Sequence, residues 1–227
     1  MLAVIGAMEI ETDLLAAELT APVGVQRQGV TVTRGRAAGR ELLLATCGVG
    51  KVNAAHITAV LLAEGAEQVV FTGVAGALDP ELSPGDVIIS RDCLQHDVDV
   101  TALGYAPGNI PGEETVFSAD ARLREAALLS AAELPGIRVV EGRVLSGDVF
   151  VADPAAAARL HRRFGGACVE MEGAAVAQVC ARAGVPFVVI RSVSDRADGS
   201  ATPDFREFAA RAARTSHAVV LGLLARV

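Results

Sequence analysis

The sequence predicts an α/β fold: one domain built on a central mixed, largely parallel, twisted sheet flanked by helices. Three observations predict it. Short apolar strands alternate with helical stretches along the chain. Two of those strands, 68–72 and 186–193, carry nearly unbroken apolar sequence, as strands covered on both faces do. No linker, charge run or internal repeat divides the 227 residues, so a single domain spanning 1–227 is expected.

The elements follow in order. Residues 2–6 form a short apolar strand ending in Gly6, and 8–19 read as a helix with Leu14, Leu15 and Leu19 on one stripe. Residues 30–36 and 41–46 are β-rich and joined by Ala38-Gly39-Arg40, the composition of a hairpin turn. After Gly48-Val49-Gly50 a helix runs over 51–64. Strands at 68–72 and 86–90 follow, then an irregular stretch over 95–117 rich in Gly and Pro, read as a long functional loop. A helix is expected over 119–133 and a strand over 139–146. The helix over 154–164 has Asp153 as N-cap and Pro154 in its first turn. A short strand at 168–170, a helix over 172–183, an apolar strand over 186–193 and a helix over 203–226 complete the chain.

Composition narrows the function. The chain is 52% hydrophobic and 21% charged, which suits a packed core and argues against disorder. With a formal net charge of -7 and its arginines diluted along helices, it has no basic patch for nucleic acid. Cys47, Cys93, Cys168 and Cys180 form neither a C-x-x-C pair nor a zinc-ligand set. Buried reduced thiols in a cytoplasmic protein are the expected state. The opening apolar run, 2–6, is too short for a membrane span.

In an open α/β sheet, ligands bind beyond the carboxyl ends of the strands. The residues that follow the strands are therefore candidates: Met8, Glu9 and Glu11; Gly73, Val74, Ala75 and Gly76; Gly147, Asp148 and Phe150; Met171 and Glu172; Ser194 and Asp195. Acidic side chains and glycine backbone converge there without a basic cradle. Any one carboxylate could simply cap the next helix. Glu172 stands among Val169, Met171 and Ala174, where a carboxylate is costly unless partnered. Phosphate-loop, serine-hydrolase and dinucleotide motifs are incomplete. His96-Asp97-Val98-Asp99 lacks further ligands for a metal.

Seven motifs occur in order: Gly6-Ala7-Met8-Glu9-Ile10-Glu11, Gly48-Val49-Gly50-Lys51-Val52, Thr72-Gly73-Val74-Ala75-Gly76, His96-Asp97-Val98-Asp99-Val100-Thr101, Ser146-Gly147-Asp148, Val169-Glu170-Met171-Glu172 and Arg191-Ser192-Val193-Ser194-Asp195. Together they resemble the 5'-methylthioadenosine/S-adenosylhomocysteine nucleosidases of the purine nucleoside phosphorylase superfamily. The likeness spans nearly the whole chain.

That resemblance implies a homodimer with no cofactor and no metal. It implies hydrolysis of the bond between adenine and a 5'-thio-substituted ribose, a step of methionine salvage. Glu11 would activate the water, Glu172 would bind the ribose hydroxyls, and Met171 would pack on the sugar. Asp195 would protonate N7 of adenine. The Val151 backbone would read the adenine edge, with Phe150 stacked on the ring and Ala75 and Gly76 beside it. Ser194 and Arg191 would support Asp195 and Glu11. Met8, Val49, Val100, Tyr105, Pro111 and Phe205 would shape the 5'-thio pocket, Tyr105 and Pro111 reaching it from the partner subunit. Val74 replaces a Ser found in some relatives, and Leu103 a common Phe.

The chemistry fits these residue types. Breaking an N-riboside builds oxocarbenium character on the sugar and negative charge on the base. An acid must serve the leaving group while a carboxylate supports water on the other face. Asp195 must carry a proton at neutral pH, which an apolar setting favours, and Glu11 must be ionised. An aminodeoxyfutalosine nucleosidase would use the same residues. A phosphorylase of the superfamily would need an Arg-bearing phosphate pocket, and a nucleoside sensor would bind without releasing adenine.

Overall fold

The strands order themselves around β5 (Gln68–Ala77), ten residues long and buried over most of its length. The computed structural model describes residues 1–197 and 205–227, and for 205–209 the backbone alone. β1 (Leu2–Gly6) runs parallel to β5 on one side and to β4 (Arg40–Thr46) on the other. β3 (Val30–Ala37) continues the sheet antiparallel to β4. Their turn is Ala38-Gly39, with φ of 48° and 79°. Two successive positive φ angles are what a tight hairpin turn requires.

Two strands were not anticipated, a long one and one of two residues. β2 (Thr20–Arg27) pairs with β3 alone and is exposed almost throughout. It carries Pro22 and Gly24 and buries no alternate face, so no apolar period marks it; Pro is tolerated there because the strand is an edge.

On its other side β5 pairs in parallel with β10 (Phe187–Asp195) and, at Gly76 and Ala77, antiparallel with β9 (Gly166–Glu170). β10 pairs with β6 (Val87–Gln95), β6 with β8 (Val139–Ser146), and β8 with β9. The path β5–β10–β6–β8–β9 thus returns to β5, closing part of the sheet into a ring. A two-residue strand, β7 (Phe117–Ser118), adds to β6. The mixed sheet is therefore closed on one side where an open one was expected. Three strands also run further than the apolar runs suggest. β5 includes Gly73-Val74-Ala75-Gly76, β6 continues to Gln95, and β10 includes Ser194 and Asp195. Their last residues line a polar rim, so hydrophobicity stops before the hydrogen-bonding does.

Helices flank the sheet. α1 (Glu9–Glu18), α3 (Ala121–Ala132) and α6 (Phe205–Leu224) pack as one group; α2 (Lys51–Ala63) packs on α5 (Gly173–Ala183), and α4 (Pro154–Phe164) lies on β9. The stripe expected near α1 holds at Leu15 and Leu19, whereas Leu14 is 37% exposed. Asp153 caps α4 as expected, accepting from the Ala155 and Ala156 amides. Between β6 and β7, residues 96–116 hold only a 3-10 turn, Thr101–Leu103. All four cysteines are buried free thiols. Among the described residues, no helix is long and apolar enough to cross a membrane.

Ring closure depends on β10, whose Ile190 is fully buried and pairs with Thr72 of β5 and Ile89 of β6. Ile190→Ala should cost about 2–5 kcal/mol in urea unfolding, from lost burial and a residual cavity. Val23→Ala on the exposed edge β2 should change stability by less than about 0.5 kcal/mol.

Candidate active site

Glu11 is the third residue of α1, and its carboxylate turns back over the start of its own helix. Oε2 accepts from the amides of Ala7 (2.8 Å) and Met8 (2.9 Å), a capping arrangement. Oε1 accepts from the amide of Val74 in β5, 2.9 Å away. Gly73 makes this approach possible, because a Cβ there would collide with Glu11 Oε1 and Arg191 Nη1. Burial raises the pKa of Glu11; Arg191 and the three amides pull the other way without cancelling the rise.

Glu172 sits at the N-cap position of α5 yet makes no capping bond to it. Its Oε1 instead accepts from the Gly50 amide at 2.7 Å. The capping work passes to neighbours. Glu170 accepts from the amides of Glu172 and Gly173, and Ser146 Oγ accepts from the Ala174 amide at 2.7 Å. Burial first, and Glu170 second, push Glu172 up to about 7.

Behind them lies Arg191 of β10, 1% exposed. It pairs with Glu170 and lies over the Phe71 ring, 4.1 Å from the centroid. Burial alone would lower its pKa, but Glu170, Glu11 and Glu172 outweigh that and raise it.

Asp195 ends β10 beyond a register shift against β5, a bulge that re-aims the side chain. Its Oδ2 accepts from Ser194 Oγ (2.7 Å) and its Oδ1 from the Ala197 amide (2.7 Å).

The three acids share a cavity of about 260 Å³ with Met8, Val49, Ala75, Gly76, Phe150, Val151, Met171 and Ser194. Among the described residues its lining includes no Lys, Arg or His. The site is therefore acidic and, Ser194 apart, lined by apolar and glycine residues.

Comparison with known proteins agrees with this geometry. Residues 1–225 match the family model described as the Phosphorylase superfamily. The 5'-methylthioadenosine/S-adenosylhomocysteine nucleosidase of Shewanella halifaxensis is 40% identical, over 97% of each chain. The chain belongs to this nucleosidase family. A crystal structure of the Neisseria meningitidis nucleosidase in complex with methylthio-immucillin-A superposes with a TM-score of 0.96, at 41% identity and covering 100% of this chain and 99% of that one. The futalosine hydrolase of Helicobacter pylori is also similar, at 32% identity and a TM-score of 0.94, covering 100% and 97%.

Eleven of the residues proposed from the sequence line the cavity of this nucleosidase-family chain, and four described ones do not: Arg191, Val100, Tyr105 and Pro111. Arg191 is hydrogen-bonded to Glu170 and acts on Glu11 through its charge. Val100, Tyr105 and Pro111 stay outside the cavity of their own chain, with Tyr105 44% exposed. The Phe205 side chain lies outside the described residues. Position 74 serves through its backbone amide, which a Val supplies as well as a Ser. Glu170 and Ser146 were given no role from the sequence. The signal available was a second acid, Glu170, buried two positions before Glu172 and facing an arginine strand.

Two outcomes follow for stability. Arg191→Met should cost about 3–5 kcal/mol in urea unfolding, because it strands Glu170 in the interior. Glu172 holds its proton more tightly when folded, at about 7 against 4.5. The folded chain then binds more protons than the unfolded chain between those values, so this stabilisation is present at low pH and is lost as pH rises through about 7. Glu172→Gln should flatten that limb when unfolding is compared at pH 5 and pH 8.

Proposed function

We propose that this chain hydrolyses the N-glycosidic bond of 5'-methylthioadenosine and S-adenosylhomocysteine, releasing adenine and the 5'-thio-ribose. The observation that carries the reading is one cavity holding Glu11, Glu172 and Asp195, with no cation in its described lining. A phosphorylase needs a positive group to hold phosphate as nucleophile. An acidic lining repels phosphate and leaves water to attack.

Glu11 is the base. Three backbone amides fix its carboxylate, and its raised pKa brings its basicity nearer neutral pH while Arg191 favours the ionised form. Glu172 takes the ribose hydroxyls with the oxygen that Gly50 leaves free, and Met171 packs on the sugar. Its negative charge supports the cationic sugar of the transition state. Asp195, oriented by Ser194 and the Ala197 amide, delivers the proton to N7 of adenine. Phe150 stacks on the base, Val151 reads its edge through the backbone, and Ala75 and Gly76 leave room for the ring.

The 5' substituent lies toward Met8 and Val49, and the working form is a homodimer in which Val100, Tyr105 and Pro111 of one chain complete the partner's pocket. The exposure of Val49, Val52, Leu103 and Tyr105 supports this, since it leaves apolar surface on α2 and on the long loop. The four buried thiols suit the reducing cytoplasm, where such hydrolysis would serve methionine salvage.

Adenine release from methylthioadenosine should proceed equally with and without phosphate; strict dependence on phosphate would overturn the hydrolase reading. A panel adding S-adenosylhomocysteine and aminodeoxyfutalosine should favour the thio-substituted nucleosides. Asp195→Asn and Glu11→Gln should each lower kcat by roughly 100- to 10,000-fold while a nucleoside analogue still binds.

A further inference from the structure

Lys51 opens α2, where no acidic residue occupies the first turn. A cation there opposes the helix dipole, so helix formation does not explain it. Its Nζ lies 2.7 Å from Asp97 Oδ1 and 3.0 Å from Gln95 Oε1, with the side chain only 18% exposed and that of Asp97 21%. Gln95 in turn donates to Gln178 of α5 at 2.7 Å. The Lys51 amide donates to Asp148 Oδ1 (2.8 Å), and the Asp148 amide donates to Asp97 Oδ2 (2.9 Å). Three separate segments are therefore tied at one point: the 48–51 turn, the start of the long loop, and the segment after β8.

Each segment leads to one side of the cavity. The residue before Lys51 is Gly50, whose amide holds Glu172; its φ of 102° leaves the peptide no easy substitute. Two and three residues after Asp148 come Phe150 and Val151, on the cavity wall. Cutting the ion pair removes the only side-chain tie from Asp97 to the 48–51 turn among the described residues. A largely buried pair has well-defined geometry, whereas an exposed pair seldom restrains anything.

We propose that Lys51, through its side-chain bond to Asp97 and the bond of Asp97 to the Asp148 amide, is a positioning residue that keeps the Glu172 side and the Phe150–Val151 side of the cavity in register. It touches neither ligand nor reacting atoms. This rests on the nucleosidase reading, and the test separates the two.

Wild type, Lys51→Met, Lys51→Arg and Asp97→Asn are compared for kcat and KM with methylthioadenosine, for adenine affinity by calorimetry, and for thermal unfolding. Lys51→Met should lower kcat/KM roughly 10- to 100-fold and weaken adenine binding, as small displacements at a preorganised site do. Lys51→Arg, which can still span Asp97 and Gln95, should recover most of both. If Lys51→Met does not fold, Asp97→Asn should show the same losses in milder form. Lowered thermal stability with unchanged kcat/KM and adenine affinity in the folded variants overturns the positioning role. A wild type that neither binds nor releases adenine overturns the nucleosidase reading and this proposal with it.

Discussion

A guanidinium buried to 1% exposure between β5 and the start of α5 is the interaction on which the site depends. Arg191 has Glu170 as ion-pair partner, the Phe71 ring beneath it, and Glu11 and Glu172 close enough to perturb its titration. Taking one carboxylate out of water is expensive; taking three out together is feasible only with a cation among them. Even so the offset is partial. One positive charge faces three acids, and Glu11 and Glu172 both remain raised. The arrangement therefore leaves both harder to ionise than a free carboxylate.

Glu170 makes that possible by absorbing the structural duties. It pairs Arg191, receives Ser146 Oγ, and caps α5 through the Glu172 and Gly173 amides. Glu172, one turn-start away, is thereby released from its own helix and turned toward Gly50. Two acids two residues apart have opposite occupations: one has its hydrogen-bonding capacity filled by the fold, the other keeps an oxygen for a ligand.

Much of this was legible in the chain, and the reasons differ by element. The strand ends pointed to Glu11, Glu172 and Asp195 because buried strands read as apolar runs and a carboxylate at the end of one stands out. The roles came only from ordered motifs, since spacing cannot say which acid faces water and which faces a base. β2 was not visible because its residues bury no alternate face, and edge strands leave weak patterns. The ring closure was not visible either, because β5 meets both β10 and β9 along one side, a pairing between segments about 100 residues apart that no local period encodes. The hydrogen bond from Arg191 to Glu170 was not visible, because adjacency in a motif does not reveal which carboxylate accepts it.

The three cavity acids differ less in chemistry than in what the backbone does to them. Glu11 has both oxygens engaged by three amides, so it can shift little. Glu172 has one amide on one oxygen, and its other oxygen accepts no bond among the described residues. Asp195 receives a hydroxyl and an amide, and the hydroxyl is the one donor of the set able to rotate and become an acceptor. The Ser194 hydroxyl can thus turn without moving the backbone, whereas Glu11 faces fixed N–H groups on both oxygens. The hydrogen-bond types alone therefore make Asp195 the adaptable acid and Glu11 the fixed one, a division of labour that suits the proposed hydrolysis.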